Sequence, residues 1–142
     1  MKELTIDEIK EIELEILVKV AKFCDDNNLT YFLCAGTMLG AIRHKGFIPW
    51  DDDVDIMIPR PDYDRMIEIF KDDQLVMYSH KAFKDFDKPY SKISNSRTIL
   101  IENAKSNYEI GVNIDVFPIY GCPSEEKSIV KHVNKIRKYY NL

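Results

Sequence analysis

The sequence lacks the features that mark disulfide-rich, membrane-spanning or strongly nucleic-acid-binding proteins. Its three cysteines form an odd count with no CxxC pair and no Cys/His ligand spacing, which predicts free thiols rather than a disulfide framework. No stretch approaches the ~20 apolar residues that cross a bilayer, and the N-terminus has no signal-peptide core. The formal net charge of −4 argues against a nucleic-acid partner held by phosphate neutralisation. We therefore expect a cytoplasmic protein, with attachment to the inner face of the membrane left open.

The chain nevertheless contains enough apolar material for a folded domain. Its 142 residues are 45% hydrophobic and 11% aromatic, which suits one domain of ordinary size with a real core. No internal repeat, linker or low-complexity tract divides the sequence. We therefore expect a single domain over residues 1–142.

The apolar spacing predicts helices and strands in alternation. Thr5 and Glu8 form a capping box ahead of a long first helix that ends near residues 25–28. Short apolar runs predict strands at residues 31–35, 53–58, 75–79, 90–94, 99–102 and 112–117. Helices are predicted at residues 37–43, at 62–70, and from 124 towards the C-terminus. This order predicts an α/β or α+β fold, in which helices pack on a sheet.

Three acidic residues lie in apolar strand segments. Asp53 and Asp55 flank Val54, so in a strand their side chains share one face, about 7 Å apart. Carboxylates at that spacing repel each other unless a cation lies between them, and Mg²⁺ is bound by one or two carboxylates plus substrate phosphates. A lone charge at Asp115 would be costly in its apolar strand. If the two strands are neighbours, the three acids converge on a site suited to phosphoryl or nucleotidyl transfer.

Other interpretations compete with this metal site. A water-exposed strand face is the alternative for Asp53 and Asp55, although their apolar neighbours disfavour it. A solvated turn is the favoured interpretation of Asp51 and Asp52. A calcium loop starting at Asp51 is excluded, because Ile56 stands where that loop requires glycine.

Several further residues are candidates for substrate binding. Gly36 and Thr37 open a helix after the first strand, where N–H groups and a hydroxyl can hold a phosphate; a small residue in a tight turn is the alternative. Arg43 fits substrate contact and a cationic helix C-terminus equally well. Lys92 is a phosphate-neutralising residue or a plain exposed lysine. Trp50 is a candidate for stacking on a base or a choline-like cation, with a core or loop anchor as the favoured alternative.

The run from Gly36 to Ile56, GTMLGAIRHKGFIPWDDDVDI, closely resembles the LicD family, the group that includes fukutin-like glycosylation enzymes. The similarity extends from Tyr31 through the helix after Pro61, and the segments YSKI at 90–93 and NIDVFP at 113–118 fit it as well. The resemblance implies a nucleotidyltransferase-like mixed sheet with flanking helices. In it, Gly36-Thr37 would match the glycine–hydroxyl motif.

The resemblance also implies roles for the acidic residues. Asp53 and Asp55 match the metal-binding pair, which would bind Mg²⁺, with Mn²⁺ as the alternative. Asp115 matches the third acid, which would share a metal or take a proton from the attacking hydroxyl. Arg43 and Lys92 would offset the charge of a pyrophosphate.

The reaction that the resemblance implies is phosphocholine transfer. Bacterial members resemble enzymes that move phosphocholine from CDP-choline to a sugar hydroxyl of teichoic acid, lipopolysaccharide or another surface glycan, with release of CMP. Trp50 and Tyr90 are candidates for a choline pocket. Transfer of ribitol or glycerol phosphate is an alternative, as is a non-catalytic domain that binds a nucleotide or glycan. Because family members are longer, we expect this domain to be truncated at its C-terminus.

Overall fold

The computed structural model describes residues 2–100 and 109–140. Beginning with a long helix, three helices alternate with two strands, and three consecutive strands and a last helix follow, so the predicted fold class is confirmed. The elements are α1 (Ile6–Asp26), β1 (Phe32–Leu33), α2 (Ala35–Arg43), β2 (Asp55–Pro59), α3 (Arg60–Ile69), β3 (Leu75–Tyr78), β4 (Ser91–Asn95), β5 (Asn113–Ile119) and α4 (Glu126–Tyr140). None of the helices within these two ranges has the length and apolar character needed to cross a membrane.

The strands form one mixed sheet of five in the order β1-β2-β5-β4-β3. Strands β2 and β5 are parallel, with Asp55 opposite Asp115, whereas the other neighbouring pairs are antiparallel. The condition set for the acidic residues, that their strands be neighbours, is therefore met. The parallel pair lies between β1 on one side and β4 on the other.

Alternate residues of the strands build the hydrophobic core on one face of the sheet. Ile56 and Ile58 of β2, and Ile114 and Val116 of β5, are buried. Helices α1 and α3 cover this face and contribute their own buried side chains, which are Ile16, Val20, Cys24, Tyr63 and Met66. Because side chains alternate along a strand, Asp55 and Asp115 point to the opposite face. Core and acidic residues thus occupy different faces of the same strands.

Helix α1 begins where the sequence predicts. The Thr5 Oγ1 accepts a hydrogen bond from the Glu8 N–H at 3.3 Å, and the Thr5 N–H donates to the Glu8 carboxylate at 2.9 Å. The capping box is therefore confirmed. The three cysteines are free, as the sequence predicts. Cys24 and Cys34 are buried and Cys122 is exposed.

Helix α3 carries an ion-pair network on its exposed side. Asp64 accepts hydrogen bonds from Arg60 Nε and from Lys81 Nζ, both at 2.8 Å. The hydrogen bonds from these two cations lower the pKa of Asp64 to about 2, and the one from Arg60 has the larger effect.

Three strand predictions differ from the structure. The strand predicted over 31–35 is reduced to Phe32–Leu33, because Ala35 already begins α2. The strand predicted over 53–58 starts at Asp55, because the chain at Val54 is held by a single bond from the Asp115 N–H to the Val54 carbonyl, 2.9 Å long. Residues 99 and 100 of the strand predicted over 99–102 have no regular structure, and 101–102 lie outside the described residues. Here Asn95 accepts bonds from Arg97 N–H and the Thr98 hydroxyl, both at 2.9 Å, which turn the chain away from the sheet.

Candidate active site

The parallel pairing of β2 and β5 brings two of the predicted acids side by side. Asp55 and Asp115 occupy facing positions of the ladder, and Lys92 of β4 faces Asp115 from the other side. The Lys92 ammonium donates to Asp115 Oδ1 at 2.5 Å and to Asn113 Oδ1 at 2.9 Å. Lys92 is therefore neither free nor plainly exposed, because it is bound to the third acid of the site.

Asp53 lies just before β2 and adds charge to the same region. Asp53 remains exposed to solvent, so the water-exposed alternative holds for its side chain. Partial desolvation nevertheless raises the pKa of Asp53, and the neighbouring Asp51 raises it further by its charge and a shared hydrogen bond. The pKa of Asp55 is raised to about 6, most of all by burial and then by repulsion from Asp53 and Asp115, whereas Lys92 lowers it. Raised pKa values of this origin indicate negative charge that the surrounding protein does not neutralise.

Helix α1 contributes an acid that the sequence analysis missed. Glu13 is only 5% exposed, and within the described residues its Oε2 has no hydrogen-bond partner. It lines a cavity of about 340 Å³ together with Asp52, Asp53, Asp115 and other residues, including Lys92, Asn113, Val54 and Val112. The pKa of Glu13 is raised to about 8, most of all by burial and then by the negative charges of Asp52, Asp53 and Asp115. The available signal was a glutamate on the apolar face of α1.

The Gly36-Thr37 turn is joined directly to the acidic strand. The Asp55 N–H donates to Thr37 Oγ1 at 2.8 Å, and the Cys34 N–H donates to the Asp55 carbonyl at 3.1 Å. The Thr37 hydroxyl oxygen thus accepts a bond that joins α2 to the backbone of Asp55. Helix α2 starts at Ala35, so Gly36 and Thr37 lie in its first turn, where N–H groups lack partners within the helix.

Gly36 is needed because of a side chain rather than because of backbone conformation. A Cβ at this position would lie 2.2 Å from Asp51 Oδ2. Asp51, which the sequence analysis assigned to a solvated turn, is half-buried and lies against the start of α2. The predicted phosphate-binding turn therefore has an acidic residue beside it.

Of the remaining predicted substrate-binding residues, Arg43 and Trp50 are exposed, whereas Tyr90 lies close to Asp115. Arg43 is exposed in the last turn of α2, the end opposite to Thr37. Trp50 is 77% exposed, so the core-anchor interpretation is wrong, and its ring meets His44 edge-on at 6.3 Å. Tyr90 packs on Phe117 with ring centroids 4.6 Å apart, beside the acid-bound Lys92.

The chemistry of these residues fits a hard divalent cation. The donor groups are carboxylates, which Mg²⁺ prefers, they repel one another, and one buried carboxylate oxygen has no partner among the described residues. As the side chains stand, no three His, Cys, Asp or Glu residues within 2–100 and 109–140 form a group that could hold a metal ion. The bond from Lys92 to Asp115 occupies one of the oxygens that such a group would need.

Comparisons with known proteins give one family model and several relatives. A family model described as "LicD/FKTN/FKRP, nucleotidyltransferase domain" matches residues 28–140. The lipopolysaccharide cholinephosphotransferase LicD of Haemophilus influenzae is 35% identical over 97% of this chain and 53% of its own length. An uncharacterized protein of Rickettsia typhi is 43% identical over 44% of this chain and 20% of its own length. An uncharacterized protein of Rickettsia prowazekii is 56% identical over 25% and 14%. The chain thus spans about half the length of the LicD relative.

Proposed function

Because the chain belongs to the LicD/FKTN/FKRP family of nucleotidyltransferase domains, we propose that it supplies the active site of a Mg²⁺-dependent phosphocholine transferase. The donor is a CDP-linked compound, and the acceptor is a hydroxyl of a cell-surface glycan. The observation that carries the proposal is the pairing of Asp55 with Asp115 across parallel strands, with the Thr37 turn bonded to the same Asp55. The name of the Haemophilus influenzae relative supports the choline head group.

Each residue of the site has a part in this reaction. Asp53 and Asp55 would hold Mg²⁺, and the chemistry that the bound cation supplies is neutralisation of the pyrophosphate charge. The first turn of α2 binds a donor phosphate through its free N–H groups and the Thr37 hydroxyl. Asp115, which accepts a hydrogen bond from Lys92, accepts the proton of the acceptor hydroxyl. The oxygen–phosphorus bond to the glycan then forms as the phosphorus–oxygen bond to CMP breaks.

An aromatic pair beside Asp115 supports a cationic head group. The rings of Tyr90 and Phe117 lie 4.6 Å apart, and the pKa of Tyr90 is raised by burial and then by Asp115, which indicates that the phenol is close to this acid. Aromatic faces and a carboxylate together suit a quaternary ammonium. A ribitol or glycerol phosphate donor carries no such cation and would gain no cation–π attraction from the rings.

CMP release tests the proposal. The chain is incubated with CDP-choline, Mg²⁺ and glycan acceptors. Two variants are treated in parallel: Asp55→Asn, and Asp85→Asn as a control at an exposed acid that does not line the cavity of the site. We expect CMP release by the wild type and the Asp85 variant, and a loss of more than about 100-fold in the Asp55 variant. CDP-ribitol and CDP-glycerol as donors test the head group. Calorimetric binding of CDP-choline without turnover would instead indicate a non-catalytic domain.

A further inference from the structure

Glu13 occupies a position where packing alone would favour an apolar residue. It shares the buried face of α1 with Ile16, Val20 and Cys24, which all belong to the core. A buried polar atom without a hydrogen bond costs about 1–3 kcal/mol, and a charged one costs more. The fold therefore gains nothing from this carboxylate as described, and a ligand that reaches Oε2 would remove its cost.

The cavity next to Glu13 leads to the proposed cation-binding acids. The residues that line it include Glu13, Asp53 and Asp115, and its volume is about 340 Å³. A water molecule takes about 30 Å³ in the liquid, so a cation with several bound waters fits. Mg²⁺ usually keeps several waters when it binds to proteins.

Two lysines near this cavity, Lys92 and Lys10, already have hydrogen-bond partners other than Glu13 Oε2. Lys92 is bound to Asp115 and Asn113, and Lys10 donates to the Pro49 carbonyl at 3.0 Å. Neither of them donates a bond to the Glu13 Oε2. A divalent cation between the acids would supply the missing positive charge.

We propose that Glu13 is a further carboxylate of the cation site, contributed by helix α1, whose Oε2 faces the divalent cation or a water that it holds. The inference rests on the proposed Mg²⁺ dependence and goes beyond it. Glu13 precedes the residues that the family model matches, 28–140. By tying α1 to the start of β2 and to β5, the cation would also stabilise the N-terminal helix against the sheet.

Cation binding without any substrate tests the inference. Mn²⁺ binding is followed by electron paramagnetic resonance, and the rise in Tm with Mg²⁺ is followed by circular dichroism. The wild type is compared with Glu13→Gln, Asp55→Asn and Glu15→Gln, which is an exposed glutamate on the same helix. Replacing a residue that supports a metal ligand or a metal-bound water typically lowers the affinity for the metal 10–100-fold. We expect such a loss in Glu13→Gln, with a smaller Mg²⁺-induced rise in Tm, and wild-type behaviour in Glu15→Gln.

The outcomes separate this inference from the proposed function. If Glu13→Gln binds Mn²⁺ like the wild type whereas Asp55→Asn does not, Glu13 is not part of the site although the cation site stands. If the wild type itself binds no Mn²⁺, the proposed cation dependence fails first. A merely structural Glu13 would change Tm equally with and without Mg²⁺. Glu13→Leu, which packs like its apolar neighbours, supplies a stably folded second variant and should also lose the Mg²⁺-induced rise.

Discussion

Replacing Thr37 by valine should release Asp55 without disturbing the core. Valine keeps the shape of threonine and its branching at Cβ, so packing and helix propensity hardly change. What disappears is the hydroxyl that accepts the Asp55 N–H at 2.8 Å. The amide then lies half-buried without a partner, which costs about 1–3 kcal/mol. Because the neighbouring bond from Cys34 to the Asp55 carbonyl remains, we expect the lower part of this range, about 1–2 kcal/mol.

The measurement is urea unfolding of the wild type, Thr37→Val and Thr37→Ser. Serine keeps the hydroxyl, so Thr37→Ser should lose far less free energy of unfolding than Thr37→Val. For a chain of this size, 1–2 kcal/mol corresponds to a fall in Tm of roughly 4–8 °C. CMP release should fall in the valine variant, since Asp55 is no longer positioned. Equal stabilities of Thr37→Val and Thr37→Ser would refute the argument that the hydroxyl positions Asp55.

Three further changes test the charge, packing and backbone arguments. The pKa of Asp64 is lowered by neighbouring cations, so its ionised form stabilises the fold above pH ~4. This stabilisation is lost as the pH falls towards the pKa of Asp64 in the folded protein. The difference in Tm between the wild type and Asp64→Asn should therefore vanish near pH 2. Ile114→Ala removes a fully buried side chain and should cost about 2–5 kcal/mol in urea unfolding, whereas Val130→Ala on the exposed side of α4 should cost less than about 0.5 kcal/mol. In Gly36→Ala the added Cβ meets only the end of the flexible Asp51 side chain, so stability should fall little. CMP release should fall more, because the Cβ lies in the proposed phosphate-binding turn. Gly46→Ala, where a Cβ meets no atom within 4 Å, should leave CMP release unchanged.

The sequence allowed the acid pair to be predicted because strand periodicity is local. Alternation around Val54 predicted that Asp53 and Asp55 share a strand face, and the apolar context of Asp115 marked it as unusual. In the structure only Asp55 lies in β2, and Asp53 precedes the strand. The parallel register that joins Asp55 to Asp115 could only be stated as a condition, because pairing between distant strands depends on the whole sheet. The bond between Lys92 and Asp115 depends on the same pairing and was missed for the same reason.

Glu13 was missed for a different reason. Helical spacing predicts the apolar face of α1, but it does not by itself single out a glutamate on that face. Its partners come from the start of β2 and from β5, far away in sequence. Asp51 was assigned to a solvated turn because its neighbours are polar, and only the folded chain places it against Gly36. A charged residue on the apolar face of a predicted helix is therefore a candidate site residue on the strength of its sequence position alone.

The division of the sheet into two faces makes the proposed site testable by substitution. Ile114 and Val116 hold β5 in the core, while Asp115 between them faces away from it. Changing an acid to its amide therefore removes charge without opening a cavity, and it relieves repulsion between like charges. Loss of CMP release in such a variant, together with unchanged or raised stability, would show that the acids are kept for the reaction at a cost to the fold. Glu13 is the exception, since it lies on the core-facing side of α1 and its effects must be separated by the Mg²⁺-induced change in Tm.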